Sequence, residues 1–588
     1  MTTRVLALVV LGVLLALCSM RLHSDDKPAP DRKVPGFTLT DPRTRAAVSL
    51  ADFKDKKAIV VVFLGTECPV NNAFLPVLAG LHKEYADKGV AFVGINANRH
   101  DTAERVAAHA KKQDVPFPVV KDLDNKVADA FGATRTPEAF ILNGSGKVLY
   151  QGRIDDQFGI GFSRPSKPTR RDLAVALDEL LAGKAVSVPT TKVEGCYIAR
   201  ARKPKADGDV TYAKHVSRIL QKNCQECHRP GQIGPMPLLT YDDAFSWAES
   251  IREVVSDNRM PPWHADPRYG KFSNDRRLSR ADRETLLAWI EQGTPKGDDK
   301  DLPPERKFPE GWKIGKPDLI LSMTKPYTVP AESPKFGVPY QHFTVPTDFK
   351  EDRWIVRAEA HPGSPDVVHH MIVFIVPKGE FFRPDAPGAV LVGTAPGDMP
   401  LILEPGYAKK LPAGARLVFQ MHYTPNGKKQ DDLSSVGMIF AKEPPKHRVL
   451  TKPVHNRNFI LGLEKIPAGD ANKAIEATFI FQEDAHLIGF MPHMHLRGKD
   501  FLYEAFYPDE KKTILLSVPK YNFNWQSVYR CTEPVAMPKG SKLRCFAHFD
   551  NSAKNPNNPD PTADVKWGDQ TWEEMMIGWM EYAVERKP

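Results

Sequence analysis

One segment of the sequence carries two thiols and an imidazole at the spacing used for covalent haem attachment. Two residues separate Cys224 from Cys227, and His228 follows directly. Thiols one helical turn apart form thioethers to both haem vinyl groups, while the adjacent imidazole coordinates the iron. A redox CxxC motif and half of a zinc site are the alternatives, but the sequence has no second cysteine pair for zinc, and the following His favours haem. We therefore predict one covalently bound haem c.

The sixth ligand of the iron is one of three residues: Met236, Met260 or His264. Amphipathic patterns predict helices over 212–221 and 280–292, a pair that resembles the terminal helices of a small class I cytochrome c. We predict Met260, because its Pro-rich loop before the last helix resembles the loop that presents Met in those cytochromes. A thioether ligand would raise the reduction potential of the haem.

The C-terminal half contains three motifs rich in imidazole. His493 and His495 are two residues apart on a predicted strand, so both side chains leave one face and can chelate one ion. His369 and His370 are adjacent, so sharing a metal requires a strand end or a local twist. Imidazole suits copper or zinc, whereas a thioether ligand selects Cu(I) over zinc. The motifs are VVHHM at 367–371, QMHY at 420–423 and PHMHL at 492–496.

Over residues 313 to 588 these motifs resemble the copper type II, ascorbate-dependent monooxygenases, the family of peptidylglycine α-hydroxylating and dopamine β-monooxygenases. The stretch YNFNWQ at 521–526 is also similar to one in that family. The resemblance implies two copper ions that cycle between Cu(I) and Cu(II), and hydroxylation of an aliphatic C–H by dioxygen at the His-His-Met site. The ligands that it implies are His369, His370 and His422 for the first copper, and His493, His495 and Met575 for the second, with Met576 as the fallback.

Some positions depart from the pattern of the peptide-amidating members. Where those members have an Arg for the substrate carboxylate and a Tyr, this chain has Met491 and Trp579, so a peptide C-terminus is not the expected substrate. The family also has a Cys directly after the ligand Met, paired with a Cys aligned to Cys545, but here that place holds Met576. We predict that Cys545 instead forms a disulfide with Cys531 on a neighbouring strand.

Cys68 follows an apolar, β-branched run and opens a predicted helix, whose N-terminus stabilises a thiolate. Together with Thr136-Pro137, which resembles a cis-Pro loop, this segment resembles a thioredoxin-like redoxin of the AhpC/TSA type. Asn71 stands where thioredoxins have their second Cys, which excludes disulfide reduction by a local CxxC. Three interpretations are open: a one-Cys peroxidase, a pair with Cys196 as the resolving thiol, and a degenerate scaffold.

A chain of 588 residues is too long for one hydrophobic core. We predict a multi-domain protein with an α/β thioredoxin-like domain, an all-α class I-like cytochrome c domain and two all-β jelly-roll-like sandwiches. The predicted segments are a signal peptide at 1–24, a redoxin domain at 31–185, a linker at 186–206, a cytochrome c domain at 207–300, and copper-binding β-sandwiches at 313–450 and 451–588.

The charge pattern and the N-terminus indicate where the protein acts. A formal charge of +9 without a block of Lys and Arg gives no sign of nucleic-acid binding. Arg4 precedes the apolar run from Val5 to Cys18, which is typical of an export signal and shorter than the ~20 residues of a membrane-spanning helix. We expect an exported protein, periplasmic or secreted, with membrane attachment only if the signal is uncleaved.

These features together predict a copper- and haem-dependent monooxygenase that hydroxylates an aliphatic C–H of a small organic substrate with dioxygen. A redox partner or an ascorbate-like reductant would supply electrons through the haem, with the first copper as its partner. Two alternatives are an electron-transfer and copper-binding protein without hydroxylase activity, and a thiol-dependent peroxidase with accessory electron-transfer domains. The predicted catalytic residues are Cys68, His493, His495 and Met575.

Overall fold

The computed structural model describes residues 32–158, 168–200, 208–232, 234–309, 311–332, 334, 338–394 and 400–586. The predicted signal peptide lies outside these residues. The described residues of Met1–Asp156 and Pro168–Arg202 form one compact unit, and those of Gln157–Lys167 and Lys203–Pro588 form another. No helix in the described ranges combines the length and the apolar character needed to cross a bilayer.

The first unit is an α/β fold on one mixed sheet. Its elements are strands β1 (Thr38–Thr40), β2 (Ala47–Ser49), β3 (Ala58–Leu64), β4 (Val90–Asn96), β5 (Val119–Lys121), β6 (Arg135–Thr136), β7 (Glu138–Leu142), β8 (Val148–Gly152) and β9 (Cys196–Tyr197), and helices α1 (Pro69–Tyr85), α2 (Ala103–Lys112), α3 (Lys126–Phe131) and α4 (Asp172–Leu181). The sheet order is β2-β1-β5-β4-β3-β7-β8, and β6 pairs separately with β9. β3 runs parallel to β4 and antiparallel to β7.

Strand β3 explains where Cys68 lies. All of its residues are buried, as expected for a central strand covered on both faces. The chain then turns, and Cys68 is the N-cap residue of α1, which has Pro69 in its first turn. The predicted strand and helix are therefore confirmed, and the Thr136-Pro137 peptide bond is cis as expected.

The segment predicted as a linker at 186–206 is not a linker in its described part. Thr190 forms a bridge with Gln151, and β9 pairs with β6. Ile198 is 4% exposed and belongs to the hydrophobic core of the first unit. The sequence suggested a linker because this stretch is rich in Lys, Arg and small residues. Its apolar side chains, however, pack against the α/β fold.

The second unit begins with a helical segment. It contains a π-helical turn at Tyr212–Val216 and helices α5 (Ser217–Asn223), α6 (Tyr241–Ser246), α7 (Ala248–Ser256) and α8 (Arg280–Glu291). The rings of Tyr212 and Trp289 lie 6.3 Å apart, so the first and last helical stretches pack together. The two predicted helices are present, the first beginning as a π turn.

From residue 319 onward the regular elements of the described chain are strands, apart from one short helix, which confirms the predicted β structure. The strands of the first sandwich are β10 (Leu319–Ser322), β11 (Tyr327–Val329), β12 (Gln341–Pro346), β13 (Arg353–His361), β14 (Val368–Val376), β15 (Val390–Thr394), β16 (Leu401–Ile402), β17 (Tyr407–Leu411), β18 (Arg416–Tyr423), β19 (Gln430–Asp432) and β20 (Ser435–Phe440). The elements of the second are β21 (His447–His455), α9 (Arg457–Ile460), β22 (Lys473–Ile480), β23 (Ala485–His493), β24 (Gly498–Phe506), β25 (Lys512–Val518), β26 (Tyr529–Met537), β27 (Lys542–Phe549) and β28 (Ile577–Glu585).

The two sandwiches have separate hydrophobic cores but share one sheet. Its main path is β10-β20-β13-β17-β21-β28-β23-β26, and smaller sheets, β12-β18-β14-β15 and β22-β27-β24-β25, complete the two sandwiches. The shared sheet is continuous because β17 pairs with β21 in parallel. At this junction Lys409 Nζ lies 2.9 Å from a carboxylate oxygen of Glu581, and the Lys side chain is 3% exposed.

The chain between α7 and α8, residues 257–279, packs on the second sandwich and is called the arm below. The Trp263 side chain is part of the core of that sandwich, and its ring lies 4.8 Å from that of Tyr529. Backbone hydrogen bonds continue along the arm, from Ser273 N–H to Arg530 C=O at 2.9 Å and from Thr532 N–H to Lys271 C=O at 2.9 Å. The helical segment is therefore anchored on β26 of the sandwich that carries His493 and His495.

The predicted disulfide between Cys531 and Cys545 is absent. Both are free thiols, and they lie in different sheets, Cys531 on β26 and Cys545 on β27. The prediction that they join neighbouring strands is wrong, because consecutive strands of a sandwich can belong to opposite sheets. The Cys545 side chain is fully buried and packs against Gly578, where an added Cβ would lie 2.3 Å from its Sγ.

The Lys409–Glu581 ion pair gives a test of the junction. Replacing Lys409 by Met removes the cation that is hydrogen-bonded to a largely buried carboxylate, so we expect the free energy of unfolding in urea to fall by about 3 kcal/mol. Lys410→Met is the matched control, because Lys410 pairs with Asp352 at the surface, where both side chains are about a third or more exposed. That control should cost at most about 1 kcal/mol. Equal losses in the two variants would contradict a structural role for the buried pair.

Candidate functional site

Three histidines meet on the first sandwich. Within the described ranges, His369, His370 and His422 are the one group of three or more His, Cys, Asp or Glu residues whose ligand atoms all lie within 4.8 Å of one another. His370 and His422 are direct partners in the pairing of β14 with β18. The register shifts between Val368 and His370, so a bulge turns both adjacent histidines toward the same centre. This bulge is the kind of local distortion that two adjacent histidines need in order to share one metal.

The donor set of this centre fits a transition metal. Burial, followed by the positive charge of neighbouring imidazoles, lowers the pKa of His369 to about 4 and that of His422 to about 3. Burial also lowers the pKa of His370 well below its ordinary value, so all three rings are neutral near pH 7, which is the form that binds metal. His422 Nδ1 is buried and has no hydrogen-bond partner among the described residues. The residues fit copper or zinc, and neutral imidazoles alone do not choose between the two.

His493 and His495 form a second imidazole pair, with ring centroids 5.3 Å apart. His493 ends strand β23, whereas His495 lies just beyond it, so the two are not on one regular strand as predicted. His493 Nδ1 lies 2.6 Å from Gln526 Oε1, and His495 Nδ1 lies 3.2 Å from the Glu573 carbonyl oxygen. Each ring therefore donates its Nδ1–H to an oxygen and leaves Nε2 free, which is typical of ligating histidines.

The structure separates the two methionine candidates. Met576 is fully buried in the core of the second sandwich, so its sulfur packs among apolar side chains. Met575 is only half-buried and follows Glu574, whose carboxylate accepts the N–H of His495 at 2.8 Å. Ile577, the first residue of strand β28, pairs with His493 on β23. The fallback Met576 is therefore disfavoured, and Met575 lies on the segment that lines the histidine pair.

One aromatic ring links the two histidine groups. The Phe523 ring stacks on His369, with centroids 5.7 Å apart and an interplanar angle of 16°. The same ring meets His495 edge-on at 5.8 Å. The first and second histidine groups thus face each other across a single phenyl ring.

A small, mostly apolar cavity of about 100 Å³ is lined by residues of both sandwiches. Met491 and Ile372 line it, and each is two residues from a histidine on its strand, His493 and His370 respectively. Residues two apart on a strand leave the same face, so the cavity lies on the side where the histidines point. Trp579 also lines it, and the Lys409–Glu581 pair forms a polar part of its wall.

The CxxCH segment has the hydrogen bonding expected of a haem-ligating histidine. Cys227 and His228 donate their N–H groups to the Cys224 carbonyl at 3.1 and 2.9 Å, so the two thiols share one turn. His228 Nδ1 lies 3.1 Å from the Met236 carbonyl oxygen. A ring held in this way has Nε2 free for iron. These residues fit a covalently bound haem.

The loop after α7 carries the other two candidates for the sixth ligand. Because the Met236 carbonyl binds His228, the backbone of Met236 lies on the side of the proximal histidine. The His264 Nδ1 atom is buried without a hydrogen-bond partner among the described residues, and the His264 backbone is hydrogen-bonded to the Tyr529 hydroxyl. Met260 stays our prediction, with His264 as the alternative.

In the first unit, the structure brings Cys68 to Cys196. The two thiols are hydrogen-bonded and are 1% and 8% exposed. Cys68 Sγ also lies 3.1 Å from the Thr136 carbonyl oxygen, and Thr136 pairs with Cys196 in the ladder of β6 and β9. Of the interpretations that the sequence left open, this geometry favours the pair with Cys196.

Comparison with known proteins matches this same part of the chain. Residues 30–151 match the model of the AhpC/TSA family. This domain is a thioredoxin-like redoxin. Thiol-disulfide oxidoreductase ResA from Bacillus thuringiensis subsp. konkukian is 28% identical over 127 residues, which are 22% of this chain and 71% of that protein.

Two further comparisons also cover a minor share of the chain. Chloroplastic peroxiredoxin Q from Sedum lineare is 31% identical over 121 residues, which are 19% of this chain and 63% of that protein. The crystal structure of the hypothetical protein SMc02350 from Sinorhizobium meliloti 1021 has 32% identity, covers 29% of this chain and 95% of its own, and has a TM-score of 0.27. The matched relatives thus include both a thiol-disulfide oxidoreductase and a peroxiredoxin by name.

The redoxin domain also contains a buried polar network that the sequence did not reveal. The Asp101 side chain is fully buried and accepts hydrogen bonds from Thr66 N–H at 3.2 Å, Asn96 Nδ2 at 2.7 Å and Asn98 Nδ2 at 3.2 Å. Asn98 Oδ1 in turn accepts the Ala199 N–H at 3.0 Å. The network therefore ties the loop before Cys68 to the segment that carries Cys196.

Other residues near the histidines were also missed. The Tyr340 hydroxyl lies 3.3 Å from His370 Nε2, and its ring lies 4.9 Å from that of His422. Gln526 and Phe523 belong to a stretch that the sequence comparison noted without giving them roles. A lone Tyr or Gln carries no spacing signal, because only the folded chain brings it to an imidazole.

The redoxin domain makes a pH-dependent prediction. Burial alone would raise the pKa of Cys68, but hydrogen bonds from Cys196 and from the Asn71 N–H outweigh it and lower the pKa from 9.0 to about 7. The thiolate should therefore form as pH rises through about 7, and the alkylation rate of Cys68, followed by peptide mass spectrometry, should rise with it. Cys531 is the internal control, because burial raises its pKa to about 12. A Cys68 profile with its midpoint near that of an ordinary thiol would contradict the geometry.

Proposed function

We propose that the redoxin domain carries out reversible dithiol–disulfide chemistry with Cys68 and Cys196. The observation that carries the proposal is the contact between the two buried thiols beside the cis Thr136-Pro137 bond. The Cys68 thiolate attacks a disulfide, or the oxygen of a peroxide, and releases a thiolate or water. The Cys196 thiol then displaces the group on Cys68 and closes the Cys68–Cys196 disulfide. An external dithiol returns the pair to the reduced state.

The proposal predicts a specific disulfide. Mild oxidation of the reduced protein with hydrogen peroxide should remove two hydrogens, and peptide mapping should locate the new bond between Cys68 and Cys196. Cys196→Ser should instead accumulate sulfenic acid on Cys68, because no thiol is present to resolve it. Cys531→Ser is the matched control and should form the disulfide normally. A parent protein that accumulated sulfenic acid on Cys68 and kept a free Cys196 thiol under the same oxidation would refute the pairing.

A second activity is proposed for the two sandwiches because of the three-histidine centre and the facing histidine pair. We propose that His369, His370 and His422 hold one copper ion, and that a second is held by His493, His495 and Met575. Copper bound at these residues would supply one-electron chemistry toward dioxygen, in which a C–H, dioxygen, two electrons and two protons give an alcohol and water. The haem at Cys224, Cys227 and His228 would pass on electrons from an external one-electron reductant.

The protein's own residues indicate what such a site would accept. The cavity beside the histidines is largely apolar, so it favours a small substrate that presents an aliphatic group. Met491 and Trp579 offer no charge for a substrate carboxylate, and Lys409 is already neutralised by Glu581. Arg530 is a second cation in the lining, and its guanidinium donates to the Pro400 carbonyl at 2.7 Å and the Ile402 carbonyl at 3.3 Å. Gln526 and the Glu573 carbonyl hold the histidine rings in the tautomer that leaves Nε2 available.

The position of the helical arm changes the expected route of the electrons. The sequence predicts the haem as the partner of the first copper. The arm, however, packs on β26, and Gln526, just before that strand, contacts His493. We therefore propose that electrons from the haem reach the second histidine group first.

Metal analysis with matched histidine variants tests this second activity. Protein matured with haem should contain one iron and two copper ions, and His422→Ala should lose one copper and its Cu(II) electron paramagnetic resonance signal. His361→Ala is the control, because His361 lies on the same sandwich but pairs with Glu359 and stacks on Trp312.

Dioxygen consumption then separates the hydroxylase from its alternative. If copper binds but dioxygen is not consumed with a hydroxylated product, the protein is an electron-transfer and copper-binding protein. Zinc in place of copper, or equal copper in the His422 and His361 variants, would remove the second proposal altogether.

A further inference from the structure

The segment that carries Cys196 is bound to the redoxin domain as an added strand. Thr136 pairs with Cys196 and Arg135 pairs with Tyr197 in antiparallel register. The ladder continues with a hydrogen bond from Ile198 N–H to the Thr134 carbonyl at 2.9 Å. Backbone pairing of this kind recognises an extended segment without regard to most of its side chains.

Side chains fix this strand in place. The Arg135 guanidinium lies 4.0 Å over the Tyr197 ring, and Arg135 Nη1 donates to the Gly195 carbonyl at 2.7 Å. On the far side, Arg99 N–H donates to the Ala199 carbonyl at 2.9 Å. The strand is therefore held at both ends and at its centre, directly over Cys68.

Gly195 is the residue that allows this close approach. Its φ is +147°, a conformation that L side chains rarely adopt. A Cβ at this position would lie 2.2 Å from the Thr136 carbonyl oxygen. Any side chain at residue 195 must therefore push the strand away from the edge formed by β6.

Cys68 is inaccessible while the strand is bound. The side chain is 1% exposed even though it opens a helix at the end of a sheet strand. An external disulfide cannot reach its sulfur along the edge that residues 195–199 occupy. A reaction with another protein thus requires that this segment leave, and its departure frees an edge that accepts an extended strand.

We propose that residues 195–199 are the resident occupant of a strand-binding edge beside Cys68, and that a cysteine-bearing extended segment of a partner protein takes their place. The proposal rests on the dithiol function proposed above. It adds a class of substrate, which is a disulfide in an extended protein segment, and a gate, which is the strand of residues 195–199. The Cys68 thiolate attacks the partner's disulfide, a mixed disulfide forms, and one partner thiolate leaves. The strand then returns, Cys196 attacks Cys68, and the second partner thiol leaves, so the partner disulfide is reduced as the Cys68–Cys196 pair is oxidised.

The first test loosens the strand in the full chain. Gly195→Ala should expose Cys68, and its alkylation by iodoacetamide at fixed pH should accelerate by about tenfold or more, as expected for a destabilised local structure. Gly80→Ala is the matched control, because Gly80 lies in α1 of the same domain and an added Cβ meets nothing within 4 Å. Equal alkylation rates in the two variants would overturn the gate, while Cys68–Cys196 disulfide formation in the parent would still uphold the dithiol function.

The second test asks what the freed edge accepts. The probe is a synthetic peptide with the sequence of residues 193–199, VEGCYIA, whose cysteine is activated as a mixed disulfide. In the Gly195→Ala/Cys196→Ser protein, this peptide should trap Cys68 faster than a peptide of the same composition in scrambled order. Equal trapping by the two peptides would show that the edge does not prefer the sequence of its own strand, and would overturn the proposal. Absence of the Cys68–Cys196 disulfide in the parent would instead count against the dithiol function itself.

Discussion

The parallel pairing of β17 with β21 determines how the histidines of this protein face one another. One histidine group lies on β14 and β18 of the first sandwich, and the other lies at the end of β23 in the second. Because the pairing makes one continuous sheet, the two sandwiches cannot rotate freely about a linker. A change in register would turn every side chain of β21 to the opposite face, and the buried Lys409–Glu581 pair opposes such a slip.

One side chain, Phe523, contacts both histidine groups. Phe523 touches His369 on one side and His495 on the other. The two histidine groups are therefore in contact with the same apolar side chain, one from each sandwich. The apolar cavity beside them is bounded by strands of both sandwiches, and it depends on the same junction.

Strand pairing also determines the chemistry of the redoxin domain. Cys68 has no second cysteine in its own helix turn, since Asn71 occupies that place. The pairing of Thr136 with Cys196 supplies the missing thiol from a distant part of the chain. The protein would therefore combine the proposed dithiol pair, which exchanges two electrons at once, with proposed haem and copper sites that would exchange one electron at a time.

Much of the fold was predictable from local patterns. The buried strand before Cys68, the helix that Cys68 opens, and the β structure from residue 319 onward all follow from runs and alternations of apolar residues. Errors arose where the tertiary partner of a segment mattered. The predicted linker was in part a strand, because its apolar residues are useful only when β6 lies beside them. The predicted Cys531–Cys545 disulfide was wrong, because sequence order does not tell which sheet of a sandwich a strand joins.

The sequence by itself determined which residues can do chemistry: the CxxCH thiols and imidazole, the histidine motifs, and a thiol at a helix N-terminus. Residue type and short spacing suffice for these, since they concern groups within a turn or two of each other. Only the tertiary structure decided which of them meet. It brought Cys68 to Cys196, used a bulge to turn His369 and His370 to one centre, and buried Met576 while leaving Met575 half-buried. Such contacts between distant residues depend on strand register and sheet order, which local spacing does not encode.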